Sequence, residues 1–133
     1  MFDTNVALAL EVFADPRLRA LRERWDRGDL LAIADAQTLA EFDRVLRYPL
    51  LKLDEARAIA AGGRYRGRCA IIAPSSAIRS ALPTCRDPDD QKFLQLCQRA
   101  DAAWLLTRDK ALLALKKRVS FHIALPEALP TGL

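Results

Sequence analysis

The chain has 133 residues, 51% of them hydrophobic and 29% charged, with a formal net charge of +4. That length suits a single domain over residues 1–133, the apolar fraction can fill one core, and the charge content excludes neither solubility nor folding but does exclude a membrane-spanning chain, since no apolar run nears the roughly 18 residues a span needs. A pI near 9.3 favours a polyanionic partner without demanding one.

The opening "MFDTNV" reads as a short strand that ends in an acid, Asp3. Asp15 and Pro16 suit the cap and first turn of a helix that stops near Gly28. "LLAIA" at 30–34 reads as a buried strand, and Asp35 can cap a following helix that carries Leu39, Phe42 and Leu46 on one stripe. Asp54 can cap "EARAIAA", with Gly62 and Gly63 as its expected end and "GGRYRGR" as a loop beyond. "CAIIA" at 69–73 is a second strand, and residues 74–88 form a loose stretch rich in Pro, Ser and Thr. Asp87 and Pro88 begin a helix whose apolar residues are Phe93, Leu94, Cys97 and Ala100. "AAWLLT" at 102–107 is another strand, Asp109 starts the helix "KALLALKKR", and "VSFHIA" at 119–124 is the last strand, with His122 expected to be a packed structural histidine. Strand and helix in alternation predict an α/β fold with a parallel sheet covered on both faces.

Three cysteines, Cys69, Cys85 and Cys97, make an odd count with no C-x-x-C pair, so neither a disulfide framework nor a zinc knuckle is expected. The start lacks a basic segment followed by an apolar stretch, and a cytoplasmic location is the expectation.

Ligands of open α/β sheets bind beyond the carboxyl ends of the strands, which is where Asp3 and Asp109 fall. Asp90 stands at i relative to Phe93, Leu94 and Cys97 at i+3, i+4 and i+7, so an acid heads a buried stripe. Glu41 flanks the stripe of Leu39, Phe42, Val45 and Leu46. Each acid has an ordinary reading. Asp109 can be an N-cap contributing about 1 kcal/mol. Asp87, Asp89 and Asp90 can complement a helix dipole at roughly 0.3–1 kcal/mol each. Glu41 can pair with Arg44 on the surface. Asp3 is harder to explain, because a carboxylate at a strand end gains nothing without a partner. Together, four carboxylates would repel one another unless a cation joined them, and an all-oxygen donor set suits Mg²⁺ or Mn²⁺. In a basic protein such a site suits phosphodiester hydrolysis.

"DTNV", "TLAEFDRVLRYPLL" and above all "CRDPDDQKFLQLCQRADAAWLLTRDKALLAL" resemble the PIN-domain family, in the branch of toxin components of bacterial toxin–antitoxin systems similar to VapC. The resemblance implies a three-layer α/β/α domain with a central, mainly parallel sheet and a metal-dependent ribonuclease activity using Mg²⁺ or Mn²⁺. It implies Asp3, Glu41, Asp90 and Asp109 as the acids, with Asp3, Asp90 and Asp109 holding metal. Thr4, Asn5 and Thr107 match supporting polar residues, and Asp89 is the neighbour that competes with Asp90. RNA, a cognate antitoxin and a second copy of the chain are the implied partners. Family members usually carry several apolar residues before the first acid, whereas here there are Met1 and Phe2 alone.

Arg64, Arg66 and Arg68, interleaved with Tyr65, are candidate RNA contacts: arginine grips phosphate and tyrosine can stack a base. Leu112, Leu113 and Leu115 are read as too many directions for one helix to bury in one core, which favours a homodimer. Two other readings compete with a nuclease. One is a catalytically silent domain that binds RNA or protein through the same fold. The other is a phosphatase-like hydrolase with an Asp nucleophile, which would want a second Asp where Asn5 stands.

Overall fold

The computed structural model describes residues 1–75 and 81–130. Its strands are short: β1 Ala32–Ala34, β2 Cys69–Ile71, β3 Trp104–Leu106 and β4 His122–Ala124. Its helices are α1 Thr4–Glu11, α2 Arg19–Asp26, α3 Ala36–Leu46, α4 Glu55–Arg68, α5 Gln91–Arg99 and α6 Lys110–Leu113. All strand pairing among the described residues is parallel. β1 pairs with β2 in the register Ala32 to Cys69, and β3 pairs with β4 in the register Trp104 to His122. The fold is therefore α/β, as the alternation of elements predicts.

The opening strand shrinks to one residue. Phe2 forms a parallel bridge with Leu106, held by Leu106 N–H to Met1 O at 2.9 Å and Asp3 N–H to Leu106 O at 3.1 Å. α1 then begins at once, with Asp3 as its N-cap, accepting from Val6 N–H at 2.9 Å. The ordinary role that the sequence did not offer Asp3 is thus a cap.

Adjacent strand residues feed two separate cores, as side chains of period two must. Phe2, Ala32, Ala34 and Leu106 pack with α1 to α4, around Leu18, Trp25, Phe42, Leu46 and Tyr65. Met1, Ile33, Leu105 and Ile123 pack with α5 and α6, around Phe93, Leu94, Cys97 and Leu112.

Asp15, Asp35, Asp54 and Asp109 all cap through their side chains. Asp15 caps a 3₁₀ turn, Pro16–Leu18, that leads into α2. α2 closes before Gly28, whose φ of +81° is the left-handed conformation that ends helices. α4 does not stop at Gly62 and Gly63 but runs on to Arg68. A Cβ on Gly62 would sit 2.6 Å from Asp43 Oδ1 and 3.5 Å from Leu46 Cδ1, so this glycine admits α3 rather than ending α4. The expected loop after it is helix, and Tyr65 is buried between Trp25 and Phe42, so it cannot stack a base.

Two further expectations change. α6 ends at Leu113, and Leu115 turns inward from the following turn, so Leu112 and Leu115 are both buried without a second copy of the chain. His122 is exposed and stacks on Trp104, with ring centroids 4.4 Å apart. Of the loose stretch at 74–88, residues 76–80 lie outside the described residues; the part before α5 is pinned by Gln91, which accepts from Cys85 N–H at 2.7 Å and donates to Pro83 O at 3.0 Å.

Candidate active site

The Phe2–Leu106 bridge sets the site. It places Asp3 beside Thr107, one residue beyond each strand. Thr107 is wholly buried and its hydroxyl works in both directions: it donates to Asp3 Oδ2 and accepts from Asp109 N–H at 2.9 Å. One hydroxyl thus ties the first acid to the backbone of the fourth. Asp109 Oδ1 caps α6, accepting from Ala111 N–H at 2.7 Å.

Asp90 arrives from another direction. It ends the 3₁₀ turn Pro88–Asp90, which runs directly into α5, and it makes no cap bond to that helix. It is half-buried whereas Asp89 is exposed, and α5 continues inward through Phe93, Leu94, Leu96 and Cys97. Asp90 Oδ2 is buried, with no hydrogen-bond donor against it among the described residues. The neighbouring Asp109 carboxyl makes Asp90 hold its proton more tightly.

Glu41 comes from α3, half-buried, with both oxygens engaged. Thr4 Oγ1 donates to Oε2, and Lys92 Nζ lies 2.8 Å from Oε1. Arg44 stands farther off, at 3.8 Å. Asn5 is exposed on the first turn of α1.

The electrostatics follow from burial. Asp3 is pushed up to about 6, first by desolvation and also by Asp109 and Glu41, against the pull of its bonds from Thr107 and Val6. Asp90 is pushed up to about 7, first by desolvation, then by Asp109, with Asp87 and Asp3 adding. Each acid therefore feels others from distant parts of the chain. Among the described residues no three Asp, Glu, His or Cys side chains stand close enough together to hold an ion as placed. The donor chemistry of the four acids nonetheless suits a hard divalent cation: carboxylate oxygens, one of them, on Asp90, buried and unsatisfied among the described residues.

The chain matches the family model of a PIN domain over residues 1–111. It belongs to the PIN-domain family. That match spans Asp3, Glu41, Asp90 and Asp109, together with Thr107 and Lys92. No curated protein and no solved structure matches the chain. PIN domains are generally nucleases and typically use divalent metals, so a nuclease in this general sense is what membership supports.

The candidate RNA contacts take another form. Arg64 pairs with Glu11 at 3.2 Å and Arg66 with Asp43 at 3.1 Å. Arg68 pairs with Glu11 and Asp26 and lies over the Trp25 ring at 3.7 Å. All three are engaged within the PIN domain itself. Lys92 is the residue of this site that the sequence reading missed. The signal was Leu96: counting it with Phe93 and Cys97 widens the buried stripe of α5 until Lys92 falls within its border.

Proposed function

We propose that this PIN domain is a Mg²⁺- or Mn²⁺-dependent endoribonuclease, the toxin of a bacterial toxin–antitoxin pair, restrained in the cytoplasm by a cognate antitoxin. The observation that carries the catalytic part is the buried, unpartnered Oδ2 of Asp90 beside Asp109. Two neighbouring carboxylates repel, and a cation between them would relieve that repulsion and satisfy the bare oxygen. Asp3, Asp90 and Asp109 would hold that ion. When bound, it orients a water, lowers the water's pKa and offsets charge building on the phosphate. The chain's own part is orientation. Thr107 fixes Asp3 relative to Asp109, the α6 cap fixes the Asp109 carboxyl, and the 3₁₀ turn aims Asp90 inward. Without a cation, this group of acids would repel an RNA phosphate.

The two cores on alternate strand residues support a three-layer α/β/α arrangement in one domain over residues 1–133. A homodimer fits the family resemblance, and light scattering at twice the chain's 14.8 kDa would support it. The activity is tested by incubating mixed RNAs with the protein in EDTA, Mg²⁺ and Mn²⁺, beside Asp3→Asn and Asp90→Asn. Cleavage that needs metal and is lost in both variants is the expected result. RNA binding without cleavage in any metal would favour the silent-domain reading.

A further inference from the structure

Lys92 lies in the first turn of α5, where the helix dipole disfavours a cation. Its side chain is nonetheless only 9% exposed. A buried ammonium persists where partners replace its water. Here the partners are Glu41 Oε1 at 2.8 Å and the carbonyl of Asp89, with the Phe93 ring 5.1 Å away. The pair joins α3 to α5, the helices that bring Glu41 and Asp90 to the site. With Thr4 on the other oxygen, Glu41 has both oxygens taken by donors of the protein, whereas Asp90 has one bare.

We propose that Lys92 is a positioning residue that serves as a fixed counter-charge to Glu41, keeps that carboxylate out of the ligand set, and leaves cation binding to Asp3, Asp90 and Asp109. The inference rests on the metal-nuclease reading and deepens it. With all four carboxylates ionised, the one ammonium brings the site's charge from −4 to −3, so Lys92 tempers its attraction for divalent ions. The charge also sets a clear pattern for substitution. Lys92→Gln exposes the site to the full charge of Glu41. Glu41→Gln releases the ammonium to compete for the neighbouring aspartates. Replacing both together restores the balance.

Isothermal titration with Mn²⁺ alone, at fixed ionic strength, reads this pattern without any substrate. Lys92→Gln should bind Mn²⁺ on the order of tenfold more tightly than the unmodified protein, Glu41→Gln on the order of tenfold more weakly, and the double variant about as tightly as the unmodified protein. A double variant as weak as Glu41→Gln would make Glu41 a direct ligand and overturn the proposal. An unchanged affinity in Lys92→Gln would reduce Lys92 to a packing role and overturn it too. If Lys92→Gln does not fold by circular dichroism, Glu41→Gln and the double variant still decide. Failure of the unmodified protein to bind Mn²⁺ would instead sink the metal reading itself, and the inference with it.

Discussion

Replacing Asp3 by Asn should stabilise the metal-free protein at alkaline pH and not at acid pH. Asp3 is 4% exposed and its carboxyl is pushed from an ordinary 3.8 to about 6. Between those values the folded protein holds a proton that the unfolded chain has released. Metal-free stability from this group is therefore full below about pH 4 and is lost as pH rises through about 6. At about 1.4 kcal/mol per pH unit, the rise from 3.8 to about 6 amounts to about 3 kcal/mol of destabilisation at pH 8. Asn keeps the size and the cap to Val6, since Asn caps about as well as Asp, but loses the charge-assisted bond from Thr107. The net gain at pH 8 should be about 1–3 kcal/mol, or about 4–12 °C in Tm. Thermal denaturation in EDTA at pH 4 and pH 8 measures it. Saturating Mn²⁺ should remove most or all of this gain: at 100 times Kd it would stabilise the unmodified protein by about 2.7 kcal/mol and the variant far less. Equal Tm values at pH 8, or a gain that persists at pH 4, would refute the reasoning.

Thr107→Val removes the hydroxyl that serves both Asp3 and Asp109 N–H, and should cost about 1–3 kcal/mol by urea denaturation for the buried groups it strands. Arg68→Ala should cost about 1–2 kcal/mol, because Glu11, with its side chain 4% exposed, loses its more buried partner but keeps Arg64, whereas the exposed pair of Arg66 with Asp43 is worth at most about 1 kcal/mol. If Arg64 and Arg66 also track an RNA backbone, replacing them should flatten the salt dependence of binding by about 0.7 log units per lost contact, and an unchanged slope assigns them to the fold alone. Gly63→Ala, where a Cβ meets open space, should stabilise by up to about 1 kcal/mol, while Gly62→Ala should gain nothing, because its Cβ would displace Asp43 from the α3–α4 contact; differential scanning calorimetry compares them.

The strands and most helix starts were legible because apolar runs and Asp caps are local signals. So was the inward register of Asp90, since Phe93, Leu94 and Cys97 lie on its own helix. What escaped the sequence depended on a second element. Gly62 looks like a stop until α3 is seen against it. Tyr65 looks like a loop aromatic until α4 extends beneath Trp25 and Phe42. His122 leaves the core because Ile123 takes the inward face of its strand, and the outward-facing imidazole stacks on Trp104. Asp3 is a cap as well as a candidate site acid because α1 follows the bridge with no loop between. Lys92 finds its meaning only in Glu41, 51 residues earlier by the numbering of the pair, and no local pattern joins them.

The central proposal is that Asp3, Asp90 and Asp109, which come from three segments of the chain, would hold a divalent ion. Crystals grown with Mn²⁺ and measured at a wavelength where manganese scatters anomalously test it most directly. The account predicts an anomalous peak bonded to carboxylate oxygens of these three residues, with Glu41 still paired to Lys92. Ordered, fully exchanged crystals with no peak at these residues, or with manganese bound only elsewhere on the chain, would contradict it.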